Sequence, residues 1–187
     1  LMAELVAQYP GVSLVSRGDP FCTLARSIVG QQISVKAADS VWSRFVSVVG
    51  AVTPGRVAEL GREGLEGCGL SKRKIEYLAD LAGHFLSGQL APAGWAAHDD
   101  EAIIAELVAV RGIGRWTAEM FLIFNLMRPD VFPLDDIGLQ RAIFLRYFNG
   151  EKQPRRAISA FGERWRPWRS VATWYLWRSL DPVPVAY

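Results

Sequence analysis

Helix-start signals recur at short intervals along this chain, and they constrain its fold more than any other feature. Asp19-Pro20, Thr53-Pro54, Ser71, Asp99-Asp100 and Asp135 each set a side-chain oxygen, able to accept from first-turn amides, ahead of an apolar segment. The apolar residues in those segments follow a helical period; Val35, Ala38, Val41, Trp42 and Phe45 are one example. The pattern predicts helices over 21–29, 33–49 and 54–60, one from Ser71 carrying Ile75 to Phe85, then 100–108 and 114–127. Three more follow, capped by Asp135, opened by Pro154, and running from Pro167 to Leu180. Val46 to Val52 and Val108 to Val110 are β-branched, but no period-two alternation accompanies them. The expected fold class is therefore all-α.

The length of 187 residues suits one domain or two small lobes sharing a core, at roughly 150 residues per domain. A chain of this size buries about 70% of its unfolded surface and needs no staple to fold. The cysteines are Cys22 and Cys68, and the histidines are His84 and His98. These exclude a disulfide scaffold, and they exclude a four-cysteine zinc or iron–sulfur site built from this chain alone. Charges interrupt every apolar run, so no membrane-spanning helix is expected. Leu1-Met2-Ala3-Glu4 lacks the basic start of a signal peptide, which points to a cytoplasmic enzyme or binding domain.

The net charge of +2 excludes a histone-like tail and an acidic disordered chain. Charge is unevenly placed, however. Residues 141–187 carry nine Arg/Lys against three Asp/Glu, and four of the seven tryptophans: Trp165, Trp168, Trp174 and Trp177. Two readings fit this stretch, a solvated basic face over core aromatics or a polyanion surface with stacking platforms.

The segment Leu107 to Ala118 carries the most information. An apolar helix ends, the chain turns through Gly112-Ile113-Gly114, and a new helix begins at once. Two glycines permit turns closed to other residues and a close approach to another molecule. Amides exposed at the start of the second helix form an anion site suited to a phosphate backbone. Arg115 can add charge and Thr117 a hydroxyl donor. A corner that needs glycine only for tight packing would look the same.

This segment resembles the helix–hairpin–helix motif of the DNA glycosylase superfamily, and within it the bacterial 3-methyladenine DNA glycosylase II family. Three further stretches carry the resemblance: Leu24 to Val35, Val131-Phe132-Pro133-Leu134-Asp135-Asp136, and Glu163 to Ser170. The likeness runs from about Asp19 to Trp177 with the motifs in family order. It implies a two-lobed helical fold with the hairpin at the cleft. The middle lobe would span 19–127, and the second would join 1–18 to 128–187. The family's larger bacterial members carry an N-terminal β-rich domain. Here that domain is either absent or lies before a chain that begins inside a longer protein.

The resemblance implies a monofunctional DNA glycosylase that hydrolyses the N-glycosidic bond of alkylated bases in duplex DNA, acting as a monomer without a catalytic cofactor. Asp136 would be the catalytic carboxylate, in the first turn of a helix whose dipole favours negative charge. There it would stabilise an oxocarbenium-like sugar and orient the attacking water. Asp135 would be the helix cap. Trp116 stands where bifunctional relatives carry a nucleophilic lysine, so no Schiff base is expected.

Trp116, Met120, Ile137 and Trp177 would line the base pocket, where a cationic alkylated purine meets aromatic faces. Met120 and Ile137 replace tyrosines of the family pattern, and Gly138 replaces a larger apolar residue, which leaves the lesion range open. Gly112, Gly114, Arg115 and Thr117 would contact the DNA backbone. Gln32 would fill the gap left by the flipped base, with Gln31, Ser34 and Lys72 as further DNA contacts. Carbonyls of Val108, Val110 and Ile113 would hold a structural monovalent cation. The alternatives are a glycosylase for oxidised or deaminated bases and a non-catalytic hairpin module; the second would not need Asp136 and Trp177 together.

Overall fold

The computed structural model describes residues 1–181, and within them every regular element is a helix. The chain divides into two compact units. Among the described residues, one holds Leu1–Ser16 with 122–181, and the other holds Arg17–Phe121. The second division falls inside a helix rather than after Met127, where sequence alone put it. Among the described residues no helix is long and apolar enough to cross a membrane.

The Arg17–Phe121 unit is built on local caps. Helix α1 (Met2–Gln8) belongs to the other unit, so this one begins with α2 (Pro20–Gly30), capped by Asp19, whose carboxylate accepts from Cys22 N at 2.8 Å. Ser34 caps α3 (Val35–Val49) and Thr53 caps α4 (Pro54–Leu65), which kinks at Gly61. Ser71 caps α5 (Lys72–Leu86), and Asp99 caps α6 (Asp100–Val108). Helices α2 to α5 pack on one another through Phe21, Leu24, Ile28, Phe45, Val57, Leu78 and Leu81, all buried. Each such side chain contributes about 2 kcal/mol. A 3-10 turn over Pro92–Ala97 buries Trp95, which packs edge-on against Phe121 and donates to Glu106 at 2.7 Å.

Helix α7 (Arg115–Phe124) is shorter than the expected 114–127. After it the other unit continues with α8 (Ile137–Tyr147), α9 (Arg155–Gly162), a 3-10 turn over Glu163–Trp165, and α10 (Arg169–Leu180). Leu139, Ala142, Ile143, Ile158 and Leu176 form its core. Helix α1 has no capping side chain and buries only Leu5, which is why no sequence signal announces it. It packs on α10, where the Tyr9 hydroxyl donates to Arg178 O at 3.3 Å.

Two boundaries differ from expectation for clear reasons. Helix α3 starts at Val35, not Ile33, because Ser34 caps it and Gln32 takes a left-handed backbone (φ 59°). Helix α10 starts after Trp168 rather than at Pro167, because Pro167 belongs to the turn that follows the 3-10 segment.

The basic C-terminal stretch also resolves into parts. Arg155 pairs with Asp135, and Arg166 and Arg169 pair with Asp130 and Glu163. Trp165 packs among Phe132, Tyr147 and Phe161, whereas Trp168 is 60% exposed. Three of its arginines and Trp165 are therefore engaged within the unit.

Candidate active site and hairpin

In the unit that carries α8, the chain from Arg128 to Asp136 is clamped from the start of α10. Ser170 N–H donates to Pro129 O at 3.0 Å, and the Ser170 hydroxyl donates to Arg128 O and accepts from Val131 N. The Arg169 guanidinium grips both Asp130 carboxylate oxygens, at 2.7 and 3.0 Å, and its carbonyl at 2.9 Å. Partial burial pushes the Asp130 carboxyl up, but the Arg169 hydrogen bonds and charge outweigh it and hold the group below the ordinary range. This clamp precedes a turn closed by Asp136 N donating to Pro133 O at 2.9 Å.

Asp136, not Asp135, caps α8. Its Oδ1 accepts from Leu139 N at 2.5 Å and from Trp177 Nε1 at 2.8 Å. The side chain is buried, at 7% exposure, and it lies in the positive field of the helix start. Asp135 points elsewhere and makes a bidentate pair with Arg155, both contacts at 2.9 Å. Either aspartate could cap by type; the turn after Pro133 and the distant partners Arg155 and Trp177 decide which does. The Trp177 ring stacks on Phe124 at 5.9 Å, a partner with no sequence signal. Ile137, at the first helical position, is 81% exposed.

In the other unit, α6 ends and the chain turns through Gly112 into α7. Two short bonds define the turn, Val110 N to Leu107 O and Ile113 N to Val110 O, both 3.1 Å. Gly112 is left-handed (φ 86°), and a Cβ there would lie 2.1 Å from the Tyr77 ring, so no other residue fits. Gly114 is different. It has no positive φ, and a Cβ there would meet nothing within 4 Å. Packing does not require glycine at 114, since a Cβ there would stand in open space.

The turn is held by side chains that bind its backbone. Gln31 Nε2 donates to Gly112 O at 2.8 Å, and Asp80 accepts from Arg111 N at 2.8 Å. Nearby, Lys74 Nζ donates to Val29 O at 2.7 Å, and burial lowers its pKa. Sequence reasoning missed Tyr77 and Asp80, because nothing local marks them.

Two expected DNA contacts have other partners here, and a third is buried. The Gln31 amide serves the hairpin. Arg115 forks onto Glu101, with Nη1 at 2.9 Å, and reaches Glu119 at 3.0 Å, bracing α6 against α7. Hydrogen bonding to Glu101 raises Arg115 above its ordinary pKa and lowers Glu101 below its own. Thr117 is 8% exposed, so its hydroxyl does not stand on the surface beside Gly114. Met120 is buried on the same helix, while Trp116 is 38% exposed. Gln32 is exposed at the tip of the α2–α3 turn, Ser34 is occupied as a cap, and Lys72 is exposed at the start of α5.

A glycine-turned corner joining two helices, α6 and α7, defines a helix–hairpin–helix protein. The chain belongs to the family described as HhH-GPD superfamily base excision DNA repair protein, which matches residues 25–167. It is 31% identical to DNA-3-methyladenine glycosylase 1 of Schizosaccharomyces pombe, over 95% of this chain and 80% of that one. It spans 66% of the length of YfjP from Bacillus subtilis, at 32% identity over 96% of this chain. A crystal structure of a Bacillus halodurans DNA-3-methyladenine glycosidase superposes with a TM-score of 0.89 at 36% identity, covering 96% of this chain and 84% of that one.

Proposed function

We propose that this chain is a monofunctional DNA glycosylase that removes alkylated bases, of the 3-methyladenine and 7-methylguanine kind, from duplex DNA in base excision repair. The observation that carries this reading is the Asp136 carboxylate, buried at the start of α8 and held on one oxygen by Leu139 N–H and Trp177 Nε1–H. The family and the names of the relatives support the same substrate class.

Breaking the N-glycosidic bond develops positive charge on the deoxyribose, and a fixed carboxylate beside C1′ stabilises that charge without reorganising. The same group orients the attacking water. An alkylated purine is itself cationic and departs as a neutral base, so little acid assistance is needed. Trp116 supplies no amine, so water is the nucleophile and the strand stays intact. The Gly112–Gly114 turn binds phosphate through backbone amides.

The hairpin cation belongs to this proposal. The Val110 carbonyl accepts from Ile113 N at 3.1 Å and retains a second lone pair, which is compatible with a monovalent ion. Val108, Val110 and Ile113 would hold it through main-chain oxygens, and it would bring positive charge to a phosphate. The chain acts as a monomer.

The test is base release from methylated DNA by the wild-type protein and by Asp136→Asn. Release of 3-methyladenine or 7-methylguanine by the wild type alone, with strand breaks only after alkali, is the expected result. Breaks without alkali would overturn the monofunctional reading. Equal release by Asp136→Asn would overturn the role of Asp136.

A further inference from the structure

Gly138 occupies the point where the Asp136 carboxylate and the Trp177 indole both come against α8. A Cβ on Gly138 would lie 3.2 Å from Asp136 Oδ1 and 3.3 Å from both Cδ1 and Nε1 of Trp177. The position is helical, so the backbone accepts any residue; only the space beside the two side chains calls for glycine. Phe124 stacks on the indole with an interplanar angle of 18°, which sets the plane in which the ring lies. The indole edge then meets the oxygen that also takes the Leu139 amide. Two N–H donors converging on one carboxylate oxygen fix the rotation of the carboxylate.

We propose that Trp177 is a positioning residue whose indole N–H orients the Asp136 carboxylate, and that the absence of a side chain at Gly138 is what allows this tether. The inference rests on Asp136 being the catalytic carboxylate. It assigns Trp177 a task that stacking on a base would not require: an aromatic wall needs the ring, but the tether needs the donor. It also makes position 138 a control point, since any side chain there must displace the indole, the carboxylate or both.

Trp177→Phe separates the two tasks, because it keeps an aromatic face and removes the N–H. The substrate is a duplex oligonucleotide with a single 7-methylguanine, cleaved under single-turnover conditions. Loss of a hydrogen bond to a charged group predicts a rate roughly ten- to a hundredfold lower. Affinity for the same duplex carrying a tetrahydrofuran abasic analogue should be unchanged. Gly138→Val should slow excision to a similar degree, and Gly138→Ala less, because a Cβ at these separations needs its neighbours to yield only slightly. The Trp177 indole proton, assigned in the NMR spectrum through Trp177→Phe, should shift in Gly138→Val and in Asp136→Ala.

Full excision by Trp177→Phe would overturn the proposal, as would a fall in rate matched by an equal fall in affinity. If Trp177→Phe fails to fold, the indole proton is assigned instead by triple-resonance and NOE connectivities in the wild type, its shift between wild type and Gly138→Val decides, and an unmoved resonance overturns the tether. No base release by the wild-type protein would instead overturn the proposed function, and the indole resonance would still report whether the tether exists.

Discussion

The hairpin and the carboxylate turn are assembled in opposite ways. At the hairpin, side chains serve the backbone: Gln31 binds the Gly112 carbonyl, Asp80 binds the Arg111 amide, and Tyr77 fills the space that only glycine leaves. At the Asp136 turn, the backbone and its neighbours serve a side chain: the Leu139 amide and the Trp177 indole converge on Oδ1, behind a clamp of Arg169 and Ser170. The first arrangement fixes a main-chain turn. The second fixes the orientation of one carboxylate. A glycine appears at each place for a different reason, a left-handed turn at 112 and room for an indole at 138.

The sharpest way to break this contrast is Asp136→Asn. It should lower excision roughly a hundred- to a thousandfold or more, as when a preorganised electrostatic group is lost, while binding to abasic duplex survives. Single-turnover rates and binding isotherms measured together check this. At the hairpin the corresponding damage should be to stability and binding. Gly112→Ala sets a Cβ into the Tyr77 ring at a left-handed position, and should cost about 2–4 kcal/mol in denaturant unfolding. Adding Tyr77→Ala should recover part of that loss; no recovery would mean the ring is not the obstacle.

The clamp should show itself through pH. Asp130 lies below its ordinary pKa, so its contribution to stability is complete above about pH 3.9 and disappears as pH falls through the lower folded value. Asp130→Asn should therefore be less stable than wild type at pH 7, by about 1–3 kcal/mol, with the gap closing below about pH 3.9. A gap independent of pH would remove the ionic part of the clamp. The smallest effect should come from the neighbour of Asp136. Asp135 and Arg155 are both more than half exposed, and such pairs contribute about 0–1 kcal/mol, so Asp135→Asn should leave excision nearly unchanged. A large loss there would mean that the two aspartates share the work.

Much of the fold is legible in the sequence, and particular residues show why. Asp19, Ser71 and Asp99 accept amides three residues onward, so their effect is complete within one turn of chain. Apolar periodicity is equally local, which is why α2, α5 and α6 start where expected. Helix α1 gives no such signal because it has neither a cap nor an apolar stripe and forms against α10. Within the site, the resemblance to glycosylases singles out Asp136, Trp177 and the hairpin glycines. It does not reveal that Trp177 donates to Asp136, that Arg115 belongs to Glu101 and Glu119, or that Gln31 locks the hairpin.

Local sequence signals account for the helical class and for most helix starts, and the likeness to glycosylases implied which residues could carry the chemistry. Tertiary structure decided which of two adjacent aspartates is buried on a helix start, which of two hairpin glycines is obligatory, and which arginines are already paired. Caps and periodicity act across a few bonds, where spacing along the chain equals spacing in space. Trp177, Arg155 and Gln31 lie tens of residues from Asp136, Asp135 and Gly112, and only packing brings them within hydrogen-bond reach.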